Sequence, residues 1–397
     1  MPLAIYVLGL MIFSMTTSEF MVAGIMPSLS EEFGVSVAAI GYLISAYAAG
    51  MIVGGPLLTI GLLKVPRKIA FLTLAFLFLA GQTLGALAPN YELMMAARIL
   101  TGIASSACFG VSIAIALTLV RPEQSGRAAS IVLGGLMVAT AVGLPAAMLF
   151  DQHWGWRSSF WAVDVLVLVS GLMGLFLIPS SPKEDSASVS IRGELAAFKN
   201  RHLWAAYATS MLIIGATFAA FSYFSPILTD LAGFDAGMVP LLLGVYGVAT
   251  VVGNTVTGRL ADRYMMPILI IGLTVLAAAL VLFGLFAASP IIAVAAVVVI
   301  GLSGVTMNPA MVTRVSRVSN SGSLVSTFHV SVVNFGIVVG SAIGGMTIDR
   351  GMGLASPLWV GAGLAVIGLL SLLPYLNKGR VAATETPPAA ETGKSCA

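Results

Sequence analysis

Residues 16–24 read TTSEFMVAG and place one carboxylate, that of Glu19, inside an apolar run from Ala4 to Met26. A run of about 20 apolar residues, rising about 1.5 Å each, is long enough to cross a bilayer as one helix. A charged side chain inside such a helix is costly and usually faces the protein interior or a water-filled cavity, where it marks an ion, proton or substrate path. Helix packing alone is the other interpretation of Glu19. The stretch therefore predicts a spanning helix that carries an acid.

The composition extends this prediction to the whole chain of 397 residues. Hydrophobic residues make up 58% and charged residues 9%, with a mean hydropathy of +1.03, whereas about 25% of residues are charged in soluble domains. The net charge is +3, but the basic residues fall on one predicted side, apart from Arg98, Arg157 and Arg350. This is the positive-inside bias rather than a nucleic-acid patch. We predict an all-α polytopic membrane protein whose surroundings are a lipid bilayer.

Apolar runs bounded by charges, prolines or glycine clusters predict twelve spanning helices. They cover residues 4–27, 36–62, 69–88, 91–119, 127–150, 158–179, 203–228, 237–260, 267–288, 290–312, 323–348 and 355–376. Basic connections such as residues 64–68 alternate with acidic or neutral ones such as residues 229–237. Because basic loops stay in the cytoplasm, both termini are predicted to be cytoplasmic, in a cell inner membrane.

A polar segment between the sixth and seventh helices divides the chain into two halves of six helices. We predict an N-terminal half at residues 1–179, a cytoplasmic linker at 180–202, a C-terminal half at 203–376 and a disordered tail at 377–397. In each half a glycine-rich helix ends in a basic turn, at residues 54–68 and 253–263. Parallel repeats of this kind are typical of transporters whose halves rock around a site near the membrane midplane.

No motif for ATP binding, metal ligation or nucleophilic catalysis occurs in the sequence. Cys108 and Cys396 have neither metal-site spacing nor similar predicted surroundings, so no disulfide is expected. We therefore predict no enzyme activity, no metal and no cofactor. Pumping would draw on an ion gradient or on a separate subunit, and the proton is the natural ion. Few titratable residues are predicted inside the membrane: Glu19, Arg98, Asp164 and His329.

Glu19 and Arg98 are predicted to lie at the same depth. Each is seven residues from the outer end of its helix, at Met26 and Tyr91, or about 10 Å in from the same face. A nearby arginine stabilises an ionised carboxylate, so the distance between the two residues would decide when Glu19 binds a proton. A carboxylate that alternates between proton and substrate can drive antiport. Alternatively, Arg98 clamps backbone carbonyls of neighbouring helices and has no part in coupling.

Two further residues are candidate proton relays. Asp164 lies seven residues in from Arg157 in the sixth helix, where a salt bridge or a position near that surface is the favoured structural explanation. His329 lies one or two turns in from the cytoplasmic end of the eleventh helix, and an imidazole titrates near neutral pH. A lone histidine is as often a packing donor as a relay.

Aromatic and amide side chains supply the other half of a predicted small-molecule pocket, which is typically apolar with a few placed polar groups. The candidate pocket residues are Phe20, Phe218, Phe221, Tyr223, Asn254, Asn308 and Asn334. A lipid-facing or packing surface is the alternative for such an aromatic stripe. Glycines such as Gly143, near Pro145 in the fifth helix, permit close helix approach and bending.

These landmarks resemble the major facilitator superfamily, specifically its twelve-helix drug:proton antiporter family. The segment GRLADR at residues 258–263 resembles the signature loop after the second helix of each half. The segment GLP at residues 143–145 resembles the antiporter motif of the fifth helix, with a leucine inserted, and Arg98 matches the family's arginine in the fourth helix. The resemblance implies a role in conformational gating for Gly258, Asp262, Arg263, Gly143 and Pro145.

Longer stretches are similar to the chloramphenicol-resistance exporters of this family. They are AIYVLG at residues 4–9, TSEFM at 17–21, GGPL at 54–57 and WGWRSSFW at 154–161. The resemblance implies a proton-coupled exporter of amphipathic small molecules that works by alternating access, with chloramphenicol as the leading substrate. Exporters of arabinose, other sugars or nucleosides share the TSEF segment and are the alternative. We expect a monomer.

The first half departs from the family's signature loop. Leu63 stands where the family has an aspartate, while Lys64, Arg67 and Lys68 remain. A charge-relay latch of the family type is therefore expected only around Asp262.

Overall fold

A computed structural model describes residues 1–62, 65–121, 124–179, 197–319 and 323–376. Throughout those ranges the regular secondary structure is helical. The predicted all-α polytopic fold is thereby confirmed, and its physical cause is that a helix in lipid pairs its own backbone groups. Leu63, Cys396, most of the predicted linker (residues 180–196) and the predicted tail lie outside the described residues.

Six long helices form the first half of the chain. They are α1 (Leu3–Gly24), α2 (Val37–Leu62), α3 (Arg67–Ala86), α4 (Tyr91–Thr118), α5 (Ser125–Trp154) and α6 (Trp156–Leu177). A short helix, Met26–Phe33, joins α1 to α2. Within α5, Ala139–Gly143 forms a π-helical turn just before Pro145, where the proline lacks the backbone donor that a regular turn uses.

The second half of the chain begins with α7 (Arg201–Phe221), whose helical path continues irregularly to Leu231. The next helical stretch, Val239–Leu285, is about 70 Å long at about 1.5 Å per residue, more than twice the thickness of a bilayer. Non-helical backbone at Tyr264 (φ −121°, ψ 30°) divides it into α8 (239–263) and α9 (265–285). The last helices are α10 (Pro290–Ser319), α11 (Ser323–Asp349) and α12 (Ser356–Leu376).

The largest extensions beyond the predicted helix ends are those of α5 and α10. The sequence places the end of the fifth helix at residue 150 and that of the tenth at residue 312, whereas α5 continues to Trp154 and α10 to Ser319. Both extensions take in a charged residue that finds a hydrogen-bond partner on a neighbouring element. Asp151 accepts a bond from Ser28 at 2.7 Å, and Arg314 donates one to Thr209 at 2.8 Å. Arg314 is therefore a buried helix residue and not the loop residue that the charge pattern predicts.

The helices pack in two groups that meet along two seams. In one group α1 packs on α5 and α6, while α4 packs on α2 and α3; in the other, α7 packs on α11 and α12. The groups touch where α2 packs on α11 and where α5 packs on α8. Whether residues 1–179 and 203–376 move as two halves stays a prediction.

Side chains join the two groups at the end of the bundle where the Met26–Phe33 helix lies. Ser36 and Tyr42, at the start of α2, donate hydrogen bonds to the Asp349 carboxylate of α11 at 3.0 and 3.2 Å. We call this end the closed side of the bundle. The predicted orientation makes it the outer side.

Tyr223 fills the seam between α2 and α11 on the closed side. Its ring is fully buried, and its hydroxyl donates to the backbone carbonyl of Ser341 at 2.8 Å. A Cβ atom at Gly41 of α2 or at Gly345 of α11 would overlap the Tyr223 hydroxyl. The two glycines therefore let a residue that follows α7 reach between both groups of helices.

Candidate functional site

Glu19 lies near the closed side of α1, which packs against α2, α4, α5 and α6. Its side chain is half-buried. With the residues that the structure describes, its carboxylate makes neither a hydrogen bond nor an ion pair within 4.0 Å. The acid is therefore free to exchange a proton or to bind a polar group that enters between the helices.

Arg98 lies beside Glu19 and is 1% exposed. Its Nη1 donates to the backbone carbonyl and to the hydroxyl of Ser18, at 2.9 and 3.1 Å, and its Nη2 donates to the backbone carbonyl of Glu19 at 3.2 Å. The guanidinium carbon lies 4.3 Å from the centre of the Tyr47 ring. Arg98 thus holds the backbone of α1 rather than the Glu19 carboxylate. This geometry fits the clamp alternative, and the modulating role of Arg98 stays a prediction.

A buried hydrogen-bonded chain leads from Arg98 through the neighbouring helices. The Ser18 hydroxyl donates to Oε1 of Gln82 in α3 at 2.7 Å, and Nε2 of Gln82 lies 3.5 Å from the backbone carbonyl of Phe160 in α6. The contacts link α4, α1, α3 and α6 in that order. The charge pattern does not indicate Ser18 or Gln82. The signal that would have found Gln82 is an amide within an otherwise apolar helix.

Three predicted pocket residues meet next to Glu19. The Phe20 ring centre lies 6.0 Å from that of Phe218 and 5.7 Å from that of Phe221. Phe221 also stacks on Tyr246 of α8 at 5.0 Å. Because Phe20 belongs to α1 and the other rings to α7 and α8, these side chains join the two groups of helices. They form an aromatic cluster around the residue that follows the acid in α1.

The three amides of the predicted pocket have different surroundings. Asn254 is half-buried in α8, and Asn308 is exposed where α10 resumes after Gly304. Asn334 is buried and donates to the backbone carbonyl of Val330 in its own helix at 2.9 Å. None of the hydrogen bonds among described residues connects these amides with the Glu19 carboxylate. Their place in a pocket stays a prediction.

Asp164 lies at the contact of α3 and α6 and is 5% exposed. Thr83 donates to its Oδ2 at 3.2 Å, while its Oδ1 has no partner among the described residues. The salt bridge that would explain this acid does not form with Arg157. That arginine pairs instead with Glu32 at 2.7 Å, because the two residues meet at the surface of the closed side.

His329 belongs to a second buried polar cluster, in α7 and α11. Its ring stacks on Tyr207, with ring centres 5.8 Å apart, and its Nε2 lies 2.9 Å from the Ser210 hydroxyl. The histidine therefore has a packing partner and a hydrogen-bond partner within the second group of helices. Its role as a relay stays a prediction.

Arg314 lies in the same region as His329 and is 4% exposed. Its Nη1 donates to the Thr209 hydroxyl at 2.8 Å, and its guanidinium carbon lies 5.0 Å from the centre of the Tyr375 ring. Its Nη2 has no hydrogen-bond partner, and no described carboxylate lies within 4.0 Å of the guanidinium. The cluster is therefore built from hydroxyls and rings around one cation.

Gly143 and Pro145 connect α5 to both groups of helices. A Cβ atom at Gly143 would overlap the Thr17 hydroxyl of α1, two residues before Glu19. A Cβ atom at Gly244 of α8 would lie 3.3 Å from Cγ of Pro145. This part of α5 thus touches the acid-bearing helix and the opposite group at once, which is a suitable position for the predicted gating role.

The predicted latch residues Gly258, Asp262 and Arg263 are exposed at the end of α8. Arg317 of α10 donates to the backbone carbonyl of Asp262, and the Arg263 guanidinium carbon lies 5.2 Å from the centre of the Tyr264 ring. The Asp262 carboxylate pairs with no cation of the described residues within 4.0 Å. The latch stays a prediction.

Comparison with known sequences gives a consistent result. The sequence profile of the Major Facilitator Superfamily matches residues 8–327 and 244–396. The chain is 31% identical to the chloramphenicol resistance protein of Streptomyces lividans, covering 99% of this chain and 100% of that protein. It is 32% identical to the inner membrane transport protein YdhP of Escherichia coli, covering 92% and 93%. It is 26% identical to the putative transporter AraJ of Escherichia coli, covering 96% of each chain.

Solved structures share the fold. The nucleoside transporter NupG superimposes with a TM-score of 0.76 at 14% identity, covering 94% of this chain and 99% of that one. A bacterial homologue of the human lysosomal transporter Spinster, in an inward-facing and unoccupied conformation, gives a TM-score of 0.68 at 14% identity, covering 94% of each chain. At this identity the likeness concerns the arrangement of the helices alone.

Proposed function

Because this chain belongs to the Major Facilitator Superfamily, we propose that it is a proton-coupled exporter of amphipathic, mostly neutral small molecules, with chloramphenicol as the leading substrate. Membership makes the protein a multi-pass membrane transporter of a small molecule. The coupling ion, the direction of transport and the substrate are the proposal.

The observation that carries the proposal is the Glu19 carboxylate, which has no hydrogen-bond or ion-pair partner among the described residues and is followed in α1 by Phe20 of the aromatic cluster. Phe20 is half-buried, and Phe218 and Phe221 are buried against it. We propose that this cluster offers apolar surface to a ring-bearing drug when the two groups of helices move apart. Glu19 offers one strong hydrogen-bond acceptor to a hydroxyl or amide of that drug. One placed polar group within an apolar surface suits an amphipathic molecule better than a sugar, which needs many hydrogen bonds.

Antiport follows if Glu19 holds either a proton or the drug. The ionised acid accepts a hydrogen bond from a drug that enters from the cytoplasm. After the bundle opens outward, a proton from outside neutralises Glu19, weakens that bond and releases the drug. The protonated acid then returns and loses its proton to the cytoplasm. Asp164 is the candidate relay for these transfers, whereas the contacts of His329 with Ser210 and Tyr207 favour its packing alternative.

Alternating access requires the closed side to open. We propose that the two groups of helices rock as halves within a monomer in the inner membrane, with both termini in the cytoplasm. The Asp349 contacts and Tyr223 hold the outer side shut in the conformation described here. Gly143 and Pro145 then act as the pivot on α5, and Asp262 as part of the cytoplasmic latch.

The similarity to the chloramphenicol resistance protein of Streptomyces lividans supports the substrate. The TSEF segment, which exporters of arabinose, other sugars or nucleosides share, keeps such an exporter as the second candidate. Accumulation of labelled arabinose or uridine in cells, with and without the chain, separates this candidate from drug export.

A drug-susceptibility panel in a host without its own efflux pumps tests the proposal. Cells that produce the chain should tolerate more chloramphenicol than cells with an empty vector, and a protonophore should abolish the difference. Cells that produce Glu19→Gln at the same membrane level should match the empty vector. Unchanged susceptibility to chloramphenicol and to other amphipathic drugs would contradict the proposed substrate class, and full resistance with Glu19→Gln would contradict the coupling role of Glu19.

A further inference from the structure

Ser18 differs from the neighbouring hydroxyl residues of α1. Ser14 and Thr17 donate to the carbonyls four residues earlier, those of Leu10 and Phe13, each at 2.8 Å. This is the usual bond of serine and threonine within a spanning helix. The Ser18 hydroxyl instead donates to Gln82 at 2.7 Å. Its single O–H is therefore directed away from its own helix.

The position of the Ser18 oxygen decides whether Arg98 can reach it. A hydroxyl has one donor and two acceptor positions. Turned toward Gln82, the Ser18 oxygen lies 3.1 Å from Nη1 of Arg98 and accepts a hydrogen bond from it. The guanidinium then stays on the Ser18 and Glu19 carbonyls, where it forms no ion pair with the Glu19 carboxylate.

We propose that Ser18 and Gln82 are positioning residues that hold Arg98 on the backbone of α1 and thereby keep the Glu19 carboxylate free to exchange its proton. This role rests on the proposed function of Glu19 as the coupling acid. Gln82 supplies the acceptor that turns the Ser18 hydroxyl, and Ser18 supplies the acceptor that holds the arginine.

Competition between acceptors gives the role its physical basis. A carboxylate competes well for a guanidinium, because both partners are charged and two parallel N–H···O bonds can form between them. Nη2 of Arg98 already reaches the carbonyl of Glu19 at 3.2 Å, and its Nε is buried without a partner among the described residues. When the Ser18 contact is lost, Arg98 turns to the Glu19 carboxylate. The new ion pair favours the ionised acid.

The other titratable groups around α1 do not compete for Glu19. Tyr47 of α2 faces the same site, but its hydroxyl donates to the backbone carbonyl of Met15 at 3.2 Å. Buried or half-buried groups on helices packed against α1 have their own contacts: Asp151 with Ser28, Asp164 with Thr83, Tyr223 with Ser341, Tyr246 with Phe221, Tyr91 with Ala39 and Cys108 with Ser112. Nearer the surface, Tyr42 bonds Asp349, His153 contacts the Leu149 carbonyl and Arg157 pairs with Glu32, while Glu92 and Arg127 are exposed. Arg98 is the cation that can pair with this acid.

Infrared titration of the purified protein in liposomes provides the test, because it requires no substrate. The carboxyl band of Glu19 is identified by its absence in Glu19→Gln. In Gln82→Leu and in Ser18→Ala the midpoint of that band should move to lower pH by about one unit or more, the usual effect of a new ion pair. In the Arg98→Ala background the same two substitutions should cause no shift.

Ser14→Ala is the matched control, since it removes a buried hydroxyl one turn away that bonds only within its own helix. Its midpoint should equal that of the wild type. An unchanged midpoint in Ser18→Ala and Gln82→Leu, or a shift that persists without Arg98, overturns the proposal. Gln82→Leu leaves no orphaned hydroxyl, because Ser18 can return to the bond of an ordinary helix serine.

Export assays in inverted membrane vesicles complete the test with radiolabelled chloramphenicol. The pH of half-maximal export should move in the same direction as the infrared midpoint, with the maximal rate largely retained. Equal losses of rate at every pH would indicate a merely structural role and would overturn the proposal. Vesicles that transport no chloramphenicol with the wild-type chain, but show the infrared shift, would contradict the proposed substrate and leave the positioning role supported.

Discussion

Arg98 and Arg314 are both buried in similar surroundings, but only Arg98 lies beside an acid, Glu19. Arg98 lies 4.3 Å from the Tyr47 ring and Arg314 lies 5.0 Å from the Tyr375 ring, and each donates to a hydroxyl on another helix. Arg98 also contacts the residue that carries the Glu19 carboxylate. A fixed cation beside an acid tunes a protonation step, whereas a fixed cation among hydroxyls holds helices together. The proposed ion coupling therefore belongs to the first group of helices.

Removal of the Glu19 acid should have the largest effect on transport. Glu19→Gln should abolish uphill chloramphenicol export, since an amide has the size of the acid but cannot cycle a proton. Downhill exchange of labelled for unlabelled drug should continue in the same liposomes. Drug-dependent proton release, measured with a pH-sensitive dye, should fall to the level of protein-free liposomes. Wild-type proton release by this variant would exclude Glu19 as the coupling acid.

Parallel lysine substitutions at the two arginines sharpen the comparison. Arg98→Lys should reduce uphill export about tenfold or more, because an ammonium cannot bond both carbonyls at once and one charge-assisted hydrogen bond contributes roughly 1.5–3 kcal/mol. Arg314→Lys should keep most of the export, since a lysine can still donate to Thr209. Initial export rates at matched protein amounts measure both. A greater loss for Arg314→Lys would reverse the assignment of the two clusters.

The cytoplasmic latch offers a smaller contrast between the two halves of the chain. Asp262→Asn should slow export by destabilising one conformation, whereas Leu63→Asp should do little harm or help slightly. The Asp262 backbone carbonyl keeps its contact with Arg317 in the variant, so folding is expected to be retained. Export rates of the two variants, normalised to detergent-extracted protein, test the latch. Wild-type rates for Asp262→Asn would remove it.

His329 should give the smallest effect. His329→Gln keeps a hydrogen-bond partner for Ser210 and changes only the stacking on Tyr207. The number of protons released per drug molecule should equal that of the wild type, with a modest loss of thermal stability. A lower proton-to-drug ratio would show that the second cluster also takes part in coupling.

The sequence predicts the fold well because its signals are long. Each spanning run exceeds the length that a bilayer needs, so an error of a few residues does not change the number of helices. The wrong end of α10 has a local cause. Charge alone suggests that Arg314 lies in a loop, and only its contact with Thr209 on a distant helix shows that it is a buried residue of α10.

The candidate site is only partly visible in the sequence. Glu19 and Arg98 stand out because charges are rare in apolar helices, and Phe20, Phe218 and Phe221 stand out as aromatic residues. Tyr223 shows the limit of this reasoning, since its ring fills a seam that is created by two glycines far away in the chain. Gln82 is a second example of this limit. Its proposed role depends on the hydrogen bond that it accepts from Ser18 on another helix, and the sequence does not indicate that contact. Such contacts depend on tertiary packing.

The buried ring of Tyr223 has a consequence for the energy supply of the cell. Two groups of helices that move relative to each other need loose packing between them. Loose packing inside a bilayer lets water and ions pass without a transported molecule. A fully buried ring with its hydroxyl on the Ser341 carbonyl fills the seam between α2 and α11. The two helices must separate by about the thickness of the ring before any opening exists. We therefore expect an idle copy of the transporter to let few ions through, so that it would not dissipate the ion gradient on which transport would draw.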